Sequence, residues 1–381
     1  SNDASAAAAQ WGYDKLALFI GDRWQLADNF EVTAGLRYET YIQDDEPPAR
    51  ADFLAAYGRS NQENLDGRDI LMPRVGFRWE PADRTLVTGG FGLFAGGDPH
   101  VWISNAFSPQ IFETFVANSP NADPTVVPQV LIDNIAAANP STPTFIDVID
   151  PDFEIPSQWK VSLRLEQEFD MNFGGLNLGE DYIFTAQYLY SDTRYGYRWR
   201  NLAVLDLPAT QPPGVAPDGR PIYANLQTLG INNAIELTNA EGGAGHTYAF
   251  SLSKELANGL DFYISYAHSE VEGVTPGTSS RGVSNYSSII DFDRNNPYVG
   301  RSEFEQEERI AINFGYEHAF FGDLMSRVDL FGTFASGEPY SFTFDTSGTN
   351  PLFGRPGNSE NPFDNDLLYV PAVVGGVFSD P

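Results

Sequence analysis

The sequence has no cysteine, few basic residues and no long apolar run, and each absence excludes a class of protein. Because none of the 381 residues is Cys, disulfides, zinc thiolate sites and thiol catalysis are excluded. Its 22 Lys and Arg against 52 Asp and Glu give a formal net charge of −30, which excludes DNA and RNA as partners, since phosphate binding needs clustered cations. No stretch reaches the roughly 18 apolar residues of a membrane-spanning helix, so only strands remain available for crossing a bilayer.

The residues that are abundant favour an all-β protein. There are 28 Phe, 18 Tyr and 35 Gly, which suit strands and turns. Alternation of polar and apolar residues with a period of two predicts ten strands. They are expected at residues 15–24, 30–42, 72–80, 85–96, 157–169, 181–193, 246–256, 260–270, 306–317 and 324–335.

Short and long connections alternate along these strands. Turns such as QLADN, PADR and ANG join the members of a pair, whereas the connections between pairs run to 29, 60, 52 and 35 residues by these boundaries. In an antiparallel sheet, this places all short turns at one end and all long loops at the other. An outer-membrane barrel has this arrangement, whereas a soluble sandwich is expected to mix its loop lengths. Within the longest loop, VVPQVLIDNIAAA (126–138) predicts a short helix, and DVIDPDFEIP predicts irregular chain.

Each predicted strand has one apolar and one charged side. This fits a membrane barrel, in which the apolar side faces outward, and equally a soluble barrel, in which the apolar side faces inward. Aromatic residues gathered beside the short turns favour the membrane, because Trp and Tyr prefer the bilayer interface. The membrane-girdle residues predicted on this basis are Trp24, Phe30, Trp79, Phe169, Tyr182 and Tyr316. The residues predicted to face the lumen, in contact with a plug or a substrate, are Arg37, Glu39, Arg164, Glu166, Glu168 and Arg309.

The long loops hold two candidate ligand sites, each with a plainer alternative. His100 and Trp102 are candidates for substrate contact, although loop aromatics such as Trp102 and Phe107 also suit a small core within the loop. The segment DFDRNN places Asp291, Asp293 and Asn295 at the spacing that opens a calcium loop. The Gly and Glu that complete this loop pattern are missing, so a solvated acidic loop is the alternative to a Ca²⁺ site. No other cofactor is expected, and no nucleophile, phosphate-loop or triad motif indicates an enzyme.

Four segments resemble TonB-dependent outer-membrane receptors. KLALFIGDRWQLADNFEVTAGLRYET resembles a strand ending in D-x-W that turns into a G-L-R-Y-E strand, and MPRVGFRWEPADRTLVTGGFGLFAG resembles the next hairpin. GHTYAFSLSKELANGLDFYISYAHS and NDLLYVP are similar to the Oar-like, carboxypeptidase-regulatory-like branch. The match runs through most strands and is weak in the loops.

The resemblance implies a 22-stranded antiparallel transmembrane β-barrel with long extracellular loops, an N-terminal plug and energised uptake of a scarce nutrient. Residues 1–381 are then expected to be a partial barrel domain, with the plug and the C-terminal strands absent. The implied partners are outer-membrane lipid and lipopolysaccharide, the protein's own plug, the TonB complex through the parent protein, and an unknown small ligand. A passive porin-like barrel and a soluble secreted β-rich binding protein or enzyme are the alternatives.

Overall fold

The computed structural model describes residues 9–96, 99–108, 125–137, 144–173, 176–177, 179–205, 214–215, 221–222, 231–256, 258–344, 366–368, 372–374 and 377–379. Among these residues, no helix has the length and apolar character needed to cross a membrane. The helices are α1 (Ala51–Tyr57), α2 (His100–Phe107), α3 (Gln129–Ala137), α4 (Leu202–Leu205) and α5 (Gly282–Ser288).

Strands make up most of the described chain. They are β1 (Asp14–Ala27), β2 (Phe30–Ile42), β3 (Asp69–Ala82), β4 (Thr85–Ala95), β5 (Thr144–Ile149), β6 (Ser157–Phe169), β7 (Asn172–Phe173), β8 (Leu176–Asn177), β9 (Tyr182–Asn201), β10 (Gly214–Val215), β11 (Pro221–Ile222), β12 (Ile231–Ala240), β13 (Ala244–Glu255), β14 (Leu260–Gly273), β15 (Gly300–Arg301), β16 (Glu308–Phe321), β17 (Leu324–Ala335), β18 (Thr343–Phe344), β19 (Asp366–Leu367), β20 (Ala372–Val374) and β21 (Val377–Ser379).

Ten long strands form one antiparallel meander in the order β1-β2-β3-β4-β6-β9-β13-β14-β16-β17. All ten strands predicted from the alternation are confirmed, and each pairs with its predicted hairpin partner. The short turns lie at one end of this sheet and the long loops at the other, as the connection lengths predict. The longest of the short connections, residues 170–181, carries its own small hairpin of β7 and β8.

The pairing register divides the side chains between two faces that run across all ten strands. On the charged face, one row of directly paired residues is Gln25, Glu31, Arg78, Thr88, Arg164, Gln187, Ala249, Ala267, Arg309 and Ala335. On the apolar face, one row is Trp24, Val32, Phe77, Gly89, Leu163, Tyr188 and Tyr248. Since residues two apart on a strand share a face, the charged and apolar sides seen in the sequence extend over the whole sheet.

The long loops fold into a second structure at their end of the sheet, which we call the loop cap. It contains β5, β12, the last residues of β9, and helices α1, α2, α4 and α5. Strand β12 pairs antiparallel with Gly196–Asn201 of β9 and parallel with β5. The segment DVID, predicted to be irregular, is therefore partly a strand, because β12 provides a hydrogen-bonding partner nearly ninety residues away.

The fully buried apolar residues of the described chain are concentrated in and beneath this loop cap. One cluster joins α2 and α5 to β5, β9 and β12, and its members include Ile103, Phe107, Ile149, Trp199 and Tyr286. A smaller cluster places Phe53 of α1 against Ile146, Val148 and Leu202. The predicted helix at 126–138 is confirmed as α3, and Phe107 packs in the loop core that the sequence offered as an alternative to ligand binding.

The sheet has two open edges among the described residues. There, β1 pairs with β2 alone and β17 pairs with β16 alone. Unpaired strand edges leave backbone N–H and C=O groups without partners, which matters if these strands lie in lipid.

Candidate functional site

A repeated ion pair is the main feature of the charged face. Arg37 is 2.6 Å from Glu39, and Arg164 is 2.6 Å from Glu166. Arg78 with Glu80 and Arg327 with Asp329 have the same spacing of two residues. Because residues two apart on a strand share a face, each arginine reaches a carboxylate of its own strand, and both partners stay on the charged face. The sequence pattern Arg-x-Glu/Asp on a strand is a signal that our sequence analysis missed.

The six residues predicted to face the lumen all lie on this charged face. Arg164 and Arg309 belong to the same lateral row, and Glu39 also accepts an ion pair from Lys15 at 2.8 Å. Glu168 contacts Arg84 of the β3–β4 turn at 2.7 Å. The structure shows that these side chains share a face, whereas their contact with a plug or a substrate stays a prediction.

Arg84 organises the short-turn end of the sheet. Its backbone is left-handed (φ 62°), and its guanidinium also contacts Asp170 at 2.9 Å and Asp181 at 2.8 Å in the neighbouring turn. The hydrogen bond from Arg84 lowers the pKa of Asp170 below its usual range. These ion pairs join the β3–β4 turn to the connection between β6 and β9, so the two connections are held in a fixed position relative to each other.

The predicted girdle aromatics lie on the apolar face beside the short turns. Phe30 is paired directly with Trp79, and the rings of Phe169 and Tyr182 are 5.7 Å apart. The side chains of Trp24 and Trp79 are exposed, whereas Tyr182 is only 8% exposed and packs against Phe169, Phe262 and the Lys254 ammonium, which lies 4.5 Å from its ring centroid. Their contact with a bilayer interface stays a prediction.

The loop cap covers the charged face at the long-loop end. Tyr41, Ile70 and Met72 lie on this face, since Ile70 pairs with Glu39 and Met72 with Arg37. All three are buried in the same apolar cluster as Ile103 and Phe107 of α2. The charged face of the sheet is therefore covered beyond Arg37 and Glu39 by folded loop residues.

A buried charge cluster holds β12 within the cap. The Glu236 carboxylate is fully buried and accepts ion pairs from both Arg59 and Arg200. Arg200 also contacts Asp150 at 3.2 Å, and the Thr238 hydroxyl donates to the same Asp150 carboxylate at 2.5 Å. Burial raises the pKa of Glu236, and the two guanidinium groups act against this effect.

His100 and Trp102 lie on α2 within the cap. His100 hydrogen-bonds the Tyr13 hydroxyl, and the two rings meet edge-on at 5.1 Å. The Trp102 indole donates to the Ser279 carbonyl at 2.7 Å and packs against Trp199 at 5.1 Å. These contacts attach α2 to its neighbours, and the predicted contact with a substrate stays a prediction.

The residues of the predicted calcium loop have backbone partners. The Asp291 carboxylate accepts from the N–H of Asp293 at 3.3 Å and from that of Tyr298 at 3.2 Å. Asp293 accepts from the N–H of Asn295 at 3.0 Å, and Asn295 accepts from the N–H of Asn201 at 2.8 Å. These oxygens brace the loop and join it to the end of β9. The Ca²⁺ site at Asp291, Asp293 and Asn295 stays a prediction.

One further group with possible metal ligands is formed by strand register. His268 pairs with Glu308 across β14 and β16, and its Nδ1 lies 3.0 Å from the Glu308 carboxylate. With Glu307, these residues bring three ligand atoms within 4.8 Å of one another. Glu307 is also bound to Arg301 at 2.6 Å. Sequence reasoning missed the group because its members are about forty residues apart and only the pairing brings them together.

The antiparallel strand arrangement agrees with the protein family that the sequence matches. The family model of the outer membrane beta barrel domain matches residues 1–366. The chain belongs to the outer membrane β-barrel domain family. It is therefore an outer-membrane protein. No curated protein matches the sequence.

Three solved structures with which this outer-membrane barrel chain can be superposed are transporters or receptors. The outer membrane transporter YddB from Escherichia coli is 13% identical with a TM-score of 0.43, over 80% of this chain and 31% of that one. The FrpB iron transporter from Neisseria meningitidis is 10% identical with a TM-score of 0.40, over 80% of this chain and 30% of the transporter. The siderophore receptor PirA from Pseudomonas aeruginosa is 11% identical with a TM-score of 0.39, over 85% of this chain and 41% of the receptor. The chain thus spans less than half the length of each.

Proposed function

We propose that the chain forms part of the wall and the outer loop cap of a TonB-dependent receptor that takes up a scarce nutrient. The observation that carries the proposal is the loop cap, a folded structure with its own apolar core that closes the long-loop end of the charged face. A passive pore needs an open mouth, whereas a receptor needs an ordered outer surface on which a ligand is captured. The resemblance of the strand sequences to the Oar-like, carboxypeptidase-regulatory-like branch supports the same assignment.

The open edges of the sheet support closure by further strands. Lipid provides no hydrogen-bond partners for the unpaired backbone of β1 and β17, so the ten strands are stable in the membrane only within a closed barrel. We propose that the closed barrel has twenty-two strands, as in the family that the sequence resembles.

The charged face suits a lumen that is filled by a plug. Its arginines and carboxylates form local ion pairs, which lowers the cost of bringing another polar surface against the wall. The proposed partners are this plug, the TonB complex through the parent protein, lipid and lipopolysaccharide outside, and a small ligand. The proposed role is transport without catalysis.

The test separates a plugged receptor from a passive porin. The parent protein, extracted from outer membranes in detergent, is inserted into a planar bilayer and separately mixed with the periplasmic domain of TonB. We expect no steady conductance and co-elution with TonB in gel filtration. Steady conductance without a TonB complex would refute the receptor and favour the porin.

A further inference from the structure

Arg74 and Lys160 on the charged face, like Arg309, lack the carboxylate partner that accompanies the other arginines there. Two residues after Arg74 the chain has Gly76, and two residues after Lys160 it has Ser162, where Arg37, Arg78, Arg164 and Arg327 have Glu or Asp. Among the described residues, neither Arg74 nor Lys160 makes an ion pair, although carboxylates outnumber cations more than twofold in the chain. The charges of Arg74 and Lys160 therefore lie on the lumen face without a countercharge from the described residues of this wall.

The register brings these two cations together. Arg74 pairs with Gly92 of β4, and Gly92 pairs with Lys160 of β6, so a single glycine separates the cations in one lateral row. A Cβ at Gly92 would lie 2.9 Å from Cγ of Arg74, which shows that the arginine side chain lies across this glycine. Glycine is therefore needed at this position for Arg74 to extend along the row.

The aromatic ring of Phe94 lies between the two charges. Its centroid is 4.4 Å from the Arg74 guanidinium carbon and 5.8 Å from the Lys160 nitrogen. A cation–π contact orients a cation and leaves its hydrogen-bond donors free for an anion. Phe94 thus holds both cations at one place.

The row opens onto a recess with room for a ligand group. The recess has a volume of about 480 Å³, and the lumen-facing residues that line it include Gly90, Gln158, Ser162, Ser191 and Gly245. The small residues create the space, and the two serine hydroxyls provide additional hydrogen-bond donors beside the cations. The Gln158 amide donates to the Thr193 hydroxyl at 3.3 Å. A charged recess with several donors and no carboxylate suits an anion.

We propose that Arg74 and Lys160 form a carboxylate-binding site in the barrel lumen, held in place by Phe94 and Gly92. The inference rests on the proposed function, since it requires the charged face to line the lumen. Arg74 can bind both carboxylate oxygens side by side, and Lys160 adds a second positive charge. The carboxylate is carried either by a solute passing through the barrel or by a protein segment that fills it.

Citrate is the probe for a solute. Its binding to the detergent-extracted parent protein is measured by titration calorimetry at constant ionic strength, with glucose as the uncharged comparison. We expect the double variant Arg74→Gln, Lys160→Gln to bind citrate about tenfold more weakly or worse, because charge-assisted hydrogen bonds are lost. The matched control is Arg78→Gln, Arg327→Gln, which removes two lumen cations that already have carboxylate partners and is expected to keep the affinity.

Carbodiimide coupling is the probe for a filling segment. The reagent joins the Lys160 amine to a contacting carboxylate as an amide with loss of water, and mass spectrometry of the digest identifies the joined peptide. An amide from Lys160 to a residue outside this wall, in a protein that does not bind citrate, assigns the site to a filling segment. The site is refuted if Lys160 forms no such amide and citrate either does not bind or binds both double variants equally.

Two controls keep these outcomes interpretable. Slower migration after boiling shows that a variant has folded, and the single variant Lys160→Gln replaces the double variant if that one does not fold. Reaction of Ser162→Cys with a water-soluble thiol reagent shows that this face is in water. If Ser162→Cys reacts and the carboxylate tests are negative, the anion site is wrong while the barrel orientation stands.

Discussion

Replacing Leu163 by Arg tests which face of the sheet meets lipid. Leu163 is the seventh of the 13 residues of β6, and its side chain points away from the charged face with 45% of its surface exposed. A strand of this length is about 43 Å long, and a tilt of about 40° gives a height of about 33 Å, which spans an apolar band of about 25 Å. In the proposed barrel, Leu163 is therefore expected near the middle of the membrane.

An arginine at that depth costs roughly 2–4 kcal/mol, which lowers the folding equilibrium constant by a factor of about 30 to 900. The assay is folding of the parent protein into lipid vesicles at graded urea concentrations, followed by the shift in gel migration between unboiled and boiled samples. The matched control is Ser162→Arg, one residue away on the lumen face, where water accepts the charge and the expected cost is below about 1 kcal/mol.

The reasoning is refuted if Leu163→Arg folds as well as the unchanged protein, or if the two variants are equally impaired. A defect in Ser162→Arg alone would mean that the faces are reversed. The soluble alternative predicts a packed interior at Leu163, so that Leu163→Arg would disrupt folding in detergent-free buffer.

Two other predictions concern the loop cap. The variant Glu236→Gln leaves Arg59 and Arg200 without their shared carboxylate, so we expect the cap to lose about 3–5 kcal/mol of local stability. Limited proteolysis should then cut the loops faster with the gel shift unchanged, and unchanged cleavage would contradict the proposed role of this cluster. Burial raises the pKa of Asp147 to about 7, and the folded cap therefore keeps a proton that the unfolded chain releases near pH 4. Stability is lost as the pH rises through this window, by about 2.5 kcal/mol between pH 5 and pH 8. Hydrogen exchange of β5 at the two pH values measures this, and Asp147→Asn should remove the difference; an unchanged pH dependence in that variant would show that another group is responsible.

The meander was predictable from the sequence because its signals are local. Alternation along Val32, Ala34 and Leu36 defines a face of β2, and a short turn sequence such as ANG (257–259) predicts the hairpin of β13 and β14. Each strand of the meander pairs with neighbours whose order follows the chain, so the sheet needed no information beyond strand positions and connection lengths.

The loop cap was not predictable in this way because its contacts are distant in sequence. Strand β5 is stabilised by pairing with β12, and Glu236 finds Arg59 across 177 residues. The predicted site residues show the same difference between local and distant signals. Arg164 and Glu166 were placed on one face by their spacing, whereas the approach of Arg74 to Lys160 depends on the registers of two strand pairs.

Cysteine labelling at two adjacent positions reports which face of the sheet meets lipid and which meets water. The chain contains no Cys, so Ser162→Cys and Leu163→Cys each introduce a single thiol. In intact outer membranes carrying the parent protein, the account predicts that a water-soluble thiol reagent modifies the thiol at position 162 and that a lipid-confined reagent modifies the one at position 163. Modification of position 163 by the water-soluble reagent, with position 162 protected, would contradict the assignment of the apolar face to lipid and the charged face to the lumen.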